Sequence, residues 1–172
     1  GNKFLSHIRE VDAIIHLVRC FESEKIQHVN NKINPVDDLE TIKTEIALSD
    51  IDTIHKKLEK SKKKLLSEIE IKILEKSREI LDKGNDLNTL ENSSKKFLGQ
   101  IGLLSLKPKI IVCNVDEVDL KNGNDHTANI TKAFSQEKII TICADIEDQL
   151  SSLAEDEKSK FMREIGLEKM GI

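Results

Sequence analysis

The sequence predicts an α/β fold, a parallel sheet from which an antiparallel helical hairpin (a coiled coil) projects, and three observations carry that expectation. First, Ile110-Ile111-Val112-Cys113 is a continuous apolar run, too short for a helix and rich in β-branched residues. That is how a strand covered on both faces of a parallel sheet reads. Second, two more such runs, Ala13 to Val18 and Lys138 to Cys143, alternate with helical patterns. Strand, helix, strand, helix, strand in that order gives right-handed crossovers and a parallel sheet. Third, residues 30–83 carry narrow apolar stripes between Lys and Glu, the pattern of two long helices that bury little beyond each other.

Composition fits this picture and excludes several classes. The 172 residues are 38% hydrophobic, enough for one domain or one domain with an appendage. Charged residues reach 34% and aromatics only 3%, a balance that points to an exposed helical segment. A net charge of −4 argues against bulk nucleic-acid binding, although it permits a local basic patch. Cys20, Cys113 and Cys143 are an odd set inside or at the end of apolar runs, and they read as buried thiols of a reducing compartment. No apolar stretch approaches roughly 18 residues and no signal peptide opens the chain, so a cytoplasmic protein without membrane contact is expected. A start at Gly1 suggests a piece of something longer.

In chain order, residues 1–10 read as a loop running into a short helix, with Phe4, Leu5 and Ile8 inward. The run that follows is expected to be a buried strand, and His16 within it a satisfied core histidine. His7, His28, His55 and His126 are scattered without HxxxH or CxxC spacing, so no zinc site is expected. Asn34-Pro35 starts a helix, with Asp37, Asp38 and Glu40 at its positive end. Its seam runs Leu39, Ile42, Ile46, then Ala47, Ile51, Ile54, Leu58 and Leu65; a second runs Leu66, Ile69, Ile73 and Ile80. No Gly, Pro, Asn or Asp breaks Ile54 to Leu81, so the turn between the arms is unmarked: either it falls near Ser61–Ser67 without the usual turn residues, or tip residues are absent from the sequence. Gly84 ends the second arm. A helix over 88–104, a turn at Gly123, a helix over 125–135 and an acidic helical tail over 147–162 complete the expectation.

Two stretches carry chemistry. Directly after the central run come Asn114, Asp116 and Glu117, and after the last run come Cys143, Ala144 and Asp145. Ligands of open α/β sheets sit beyond the carboxyl ends of the strands. Asn114 gives and accepts hydrogen bonds in one plane, and Glu117 adds a carboxylate, so the pair suits the edge of a purine base. The alternative is a helix N-cap at Asn114 or Asp116. Lys56, Lys57, Lys60, Lys62, Lys63 and Lys64 crowd the hairpin tip. They read either as a solvated helix face or as a phosphate-contacting patch for RNA or a ribonucleoprotein.

The segments GNKFLSHIREVDAIIHLVRCF, NPVDDLETIKTE, KPKIIVCNVDE and ICADIE resemble, in order and spacing, the YchF or Obg-like subfamily of P-loop NTPases. The resemblance covers essentially the whole chain. It implies a partial G-domain sheet made of 1–29 and 84–172, with 30–83 the inserted hairpin. It also implies ATP or GTP with Mg²⁺ as the nucleotide, hydrolysis by the intact protein and a ribosome or RNA partner; the oligomeric state is left open, a monomer being the default. The base motif of related GTPases, Asn-Lys-x-Asp, becomes Asn-x-x-Glu here, at Asn114, Val115, Asp116 and Glu117. The second base loop, usually Ser-Ala-Lys, is matched by Cys143, Ala144 and Asp145. The lysine stem that would cover one base face is therefore missing, and Val115 is the remaining apolar lid.

The Glu-for-Asp change has a physical consequence. A short carboxylate selects guanine by accepting from its ring N–H and amino group, in charge-assisted bonds worth about 1.5–3 kcal/mol each. One more methylene moves the carboxylate by roughly a bond length and spoils that fork. Relaxed or ATP-favouring base selection is expected. Nothing matches GxxxxGK[ST], so the P-loop, the Mg²⁺ ligands and every catalytic residue are expected outside these 172 residues, which by themselves should hydrolyse nothing. Gly1-Asn2-Lys3 resemble the exit from the second switch and are given no catalytic role. A non-enzymatic interaction module, in which the hairpin works and the sheet is its mount, is the competing reading.

Overall fold

The computed structural model describes residues 2–22, 33–61 and 66–164. The readings made for Gly1, His28, Lys62, Lys63, Lys64, Leu65 and the side chains of Asn2, Lys3 and Phe4 lie outside the described residues. Within them the fold is α/β, with three strands in one sheet and seven α-helices. By compactness the chain divides into two units, Gly1–Ile14 with Glu40–Pro108, and Ile15–Leu39 with Lys109–Ile172. Compactness therefore groups 1–14 and 84–108 with the helical arms, where the motifs group them with the sheet.

The sheet orders its strands as β1 (Ile14–Arg19), β2 (Lys109–Asn114) and β3 (Lys138–Ile142). β2 and β3 are parallel, with Ile110 opposite Lys138 and Asn114 opposite Ile142. Ile14 N donates to Pro108 O at 2.9 Å and Cys20 N to Asn114 O at 2.8 Å, a constant offset that makes β1 parallel too. Central β2 is covered on both faces, Ile111 and Val112 both being buried. β1 departs from expectation. Ile14 and Val18 are buried, but Ile15 and Leu17 on the opposite face are 69% and 63% exposed. The apolar run was read as two covered faces, and among the described residues β1 has one. His16 also differs from a satisfied core histidine, because it is half-buried and its Nε2, out of water, has no partner among the described residues. Burial first, then the Lys109 charge, lowers its pKa against a raising influence from Glu137.

One face of the sheet packs Val18, Cys20, Ile111, Cys113 and Val115 against Leu39 and Ile130. Leu39 comes from the first turns of α2 (Pro35–Ser61), and Ile130 from α5 (Asp125–Ala133). All three cysteines are buried free thiols. The last helices, α6 (Ala144–Ser151) and α7 (Glu155–Glu164), pack Ile146, Leu150, Phe161 and Met162 around Cys143. The acidic tail is thus two helices. Ser151 Oγ and Ser152 Oγ donate back to the carbonyls of Asp148 and Gln149, ending the first, and Glu157 accepts from Ala154 N to start the second.

In the other unit, α1 (Asn2–Arg9) precedes the arms, α2 and α3 (Glu68–Asp82). Asn34 marks the start of α2 as expected, its Oδ1 accepting from Asp37 N at 3.4 Å. The turn expected to be unmarked does carry a signal. Ser67 Oγ accepts from Glu70 N while the Glu70 carboxylate accepts from Ser67 N at 2.7 Å, a capping box that starts α3. Gly84, at φ +71°, ends α3 as expected, with Asn85 N donating to Ile80 O.

The arms bury more than each other. Leu74, Ser77 and Leu81 form the inner face of α3, and Leu74 and Leu81 share a core with Ile54 of α2 and with Leu87, Leu90, Leu98 and Leu103. Ile69, assigned to the seam, is 71% exposed. The segment expected to be one helix over 88–104 is a 3₁₀ turn, Leu87–Thr89, followed by α4 (Asn92–Gln100). Asp86 caps the turn through Asn88 N, and Gly102 at φ +82° stops α4 so that Leu103 and Leu104 drop into the core.

Gly123, at φ +70°, leaves no room for a Cβ, which would overlap Thr127 Oγ1. Gly123→Ala should therefore cost at least about 1–2 kcal/mol, read as a lowered urea midpoint. An unchanged midpoint would show that the turn rearranges freely. Asp50 on α2 gives a pH signature. Burial pushes its carboxyl above the usual carboxylate range, outweighing the bonds from Ser105 and Leu104 and the Arg9 charge, which lower it. The native state then binds this proton at higher pH than the unfolded chain, so the group's contribution to stability rises as pH falls from neutral. Relative to Asp50→Asn, the wild type should gain stability between about pH 7 and about pH 5 in urea titrations. The opposite slope would mean that the hydrogen bonds outweigh the burial.

Candidate functional site

The two stretches singled out for chemistry meet at the carboxyl ends of β2 and β3. Asn114 lies opposite Ile142, and the ladder runs one step further, Val115 N donating to Ile142 O at 2.9 Å. Cys143 stands at the N-cap position of α6 with no side-chain cap bond. The first helical N–H there is taken up from the neighbouring strand, Ala144 N donating to Asn114 Oδ1 at 2.9 Å. That bond ties the two corners together. It uses the carbonyl of the Asn114 carboxamide and leaves its amino group, for which no described residue is an acceptor.

The remaining residues of the pattern divide by exposure. Glu117 is exposed, at the start of a single 3₁₀ turn, Glu117–Asp119. Ala144 and Asp145 are exposed at the start of α6. Val115, assigned as an apolar lid, is 2% exposed and packs in the core with Val18 and Ile130, so its side chain is not presented to the site. A β-branched residue one position beyond the strand continues the strand's alternation, and its parity sends it inward with Ile111 and Cys113. Cys143 is likewise a core residue. Asp116, a candidate N-cap, makes no side-chain cap bond to the turn it precedes.

One positioning residue escaped the sequence reading. Asn124 Nδ2 donates to Cys20 O at 2.7 Å and to Asp119 Oδ2 at 2.8 Å, holding the end of β1 against the loop that follows β2. Asn124 also forms a capping box with Thr127 at the start of α5, and that Asn-x-x-Thr spacing was its legible signal. Beneath this end of the sheet Cys20 and Cys113 lie in one cluster. A bond to Cys113, then burial, raises the Cys20 thiol far above the ordinary range.

What the corners can do follows from their groups. The loops 114–120 and 143–149 carry Asp116, Glu117, Asp119, Asp145, Glu147 and Asp148 and no Lys or Arg. Such a rim disfavours an anion and suits hydrogen bonding to a neutral heteroaromatic edge. Among the described residues, no group of three or more His, Cys, Asp or Glu is placed to hold a metal ion, and no helix is long and apolar enough to cross a membrane. The lysines at the end of α2 are mixed with acids. Lys56 pairs with Asp52 at 2.6 Å, Lys57 is half-buried and Lys60 is exposed.

A scan of protein-family models finds no match. Comparison with curated proteins finds the ribosome-binding ATPase YchF of Bacillus subtilis, 37% identical across 100% of this chain and 50% of that protein. The protein of the same name from Mycoplasma genitalium is 39% identical across 97% of this chain and 48% of its own length. Among solved structures, the YchF GTPase of Schizosaccharomyces pombe matches with a TM-score of 0.84 and 28% identity, over 97% of this chain and 49% of that one. The chain spans about half the length of the curated relatives it matches. By sequence and by fold, it belongs to the YchF family.

Proposed function

We propose that this chain is the purine-binding part of an ATP- or GTP-hydrolysing, ribosome-associated enzyme with relaxed or ATP-favouring base selection. The bond from Ala144 N to Asn114 Oδ1 carries the reading. It fixes the carboxamide with its amino group left to donate, three residues before the exposed Glu117 carboxylate. Adenine and guanine both offer an N7 acceptor, so a donor of this kind serves either base without choosing. The choice then falls to Glu117, with the backbone at Cys143 and Ala144 and the Asp145 carboxylate completing the rim. Val115 supports the site from the core.

The names of the relatives, ribosome-binding ATPase and GTPase, support hydrolysis and a ribosomal partner for the intact protein. The corners carry no Lys or Arg to meet phosphates, and among the described residues no acidic cluster is placed to hold a metal ion, so phosphate binding, the Mg²⁺ ligands and the attacking water are assigned to residues outside these corners. The exposed Ile15 and Leu17 offer an apolar face to which the rest of a nucleotide domain can be added. In this reading 1–29 and 84–172 serve the nucleotide. The arms of 30–83 meet the ribosome through Lys56, Lys57, Lys60, Lys62, Lys63 and Lys64, in a cytoplasmic monomer.

Nucleotide titration of the intact protein should give ATP and GTP affinities within about tenfold of each other. Glu117→Ala should shift their ratio by about threefold or more. Strict GTP selectivity in the wild type sinks the base reading. Reversing Lys56, Lys57 and Lys60 to Glu should weaken ribosome binding and flatten its salt dependence. Unaltered, salt-insensitive binding removes the lysines from the interface.

A further inference from the structure

The two halves of the candidate site are held in different ways. The carboxamide of Asn114 is fixed directly, by the amide of Ala144. Glu117 has no such partner, for its carboxylate is exposed and bonds to no described residue. Its place is set by its backbone alone, the single 3₁₀ turn Glu117–Asp119. A turn this short carries few bonds of its own. They are Asp119 N to Asp116 O at 3.0 Å and Leu120 N to Glu117 O at 3.2 Å.

Asn124 supplies what the turn lacks. Its Nδ2 donates to Asp119 Oδ2 at 2.8 Å and to Cys20 O at 2.7 Å, while its Oδ1 accepts from Thr127 N at 3.2 Å. Both amide protons are spent on oxygens and the carbonyl on an N–H, so the carboxamide has one orientation. Turned over, it would set its oxygen against two others. The acceptor on the turn is a carboxylate, which makes that bond one of the stronger kind. Gly123 N donates to Asp119 O at 2.7 Å, and Leu120 packs against both apolar clusters of this unit, around Cys113 and around Cys143. The turn that carries Glu117 is thus referred to the end of β1 and the start of α5, as well as to β2.

We propose that Asp119 and Asn124 are positioning residues for base selection, the bond between them holding the turn that presents the Glu117 carboxylate to the purine edge. The inference rests on the nucleotide reading above and deepens it. Neither residue is given a contact with the base. The Asn114 amino group serves adenine and guanine alike, so discrimination falls to Glu117. An acceptor discriminates only while it is held in one place, and a site residue keeps its geometry through the residues that support it. Glu117 has no side-chain partner to do this, so the support acts through its backbone. Released from Asn124, the turn lets the carboxylate range over positions that suit either base, and the preference weakens.

Titration of the intact protein with ATP and with GTP tests this, the readout being the ratio of the two affinities. Asp119→Ala should shift that ratio by about threefold or more, in the same direction as Glu117→Ala. Added to Glu117→Ala it should change the ratio no further, within about 1.5-fold, because both act through one carboxylate. Asp119→Asn should restore the wild-type ratio, since its carboxamide oxygen still accepts from Asn124 Nδ2 and only the charge is gone. Asn124→Asp, which still caps α5 but cannot donate, should reproduce Asp119→Ala. Thr127→Val removes a hydroxyl of the same capping box that does not touch Asp119. It should lower the urea midpoint and leave the ratio within about 1.5-fold. An unchanged ratio in Asp119→Ala overturns the proposal, as does a further shift in the double variant or an equal shift in Thr127→Val. If Asn124→Asp fails to fold, the Asp119 variants decide. A Glu117→Ala protein with the wild-type ratio is a different result: it removes the base reading, and this inference with it.

Discussion

The parallel pairing of β2 with β3 is the constraint on which the rest depends. Because Asn114 stands opposite Ile142, the two strands run out level, and the chain beyond each must turn at the same height. The hydrogen bond between Asn114 Oδ1 and Ala144 N follows from that register. A slip of one residue would reverse the faces of every side chain on β3 and carry Cys143 out of the core. Burial of Ile111, Val112 and Cys113 on β2 and of Ile142 and Cys143 at the end of β3 fixes the register, and the polar groups downstream are placed as a result.

The second unit obeys a different logic. Its core of Ile54, Leu74, Leu81, Leu87, Leu98 and Leu103 is built from helices and turns, and a non-directional interior of this kind does not by itself specify how α2 meets the loop before β2. The directional groups do so. Asp50, Lys107 and Arg9 spend their hydrogen bonds on backbone atoms and hydroxyls, partners whose positions the surrounding turns already fix. Specification by bonds and stabilisation by burial are thus divided between two sets of residues.

Much of this architecture was legible in advance because its signals are local. The run at 110–113, Asn34-Pro35, and Gly84 act over one turn or one strand, and each sits where the pattern places it. The misreadings share a cause. Ile15 and Leu17 belong to the same apolar run as Ile14 and Val18, and a run says nothing of which face finds a covering layer. Leu74 was passed over for Ile69 because the seam was drawn for two helices, whereas Leu87, Leu90 and Leu98 cover α3 from outside the arms. Val115 was read for its motif position, but strand parity decides where its side chain goes. Asp50 gave no sign at all, since its partners lie 54 and 55 residues away.

The three buried thiols have a practical consequence. Cys20, Cys113 and Cys143 hold the chain's only sulfhydryl groups, and each is shielded from solvent in the folded state. A maleimide dye offered to the native fold would find these sulfurs slowly or not at all, since reaction requires an accessible thiolate. One surface cysteine introduced on an exposed arm position such as Lys60 would then take the label alone. Within these 172 residues, arm motion becomes observable by fluorescence without first replacing a native cysteine.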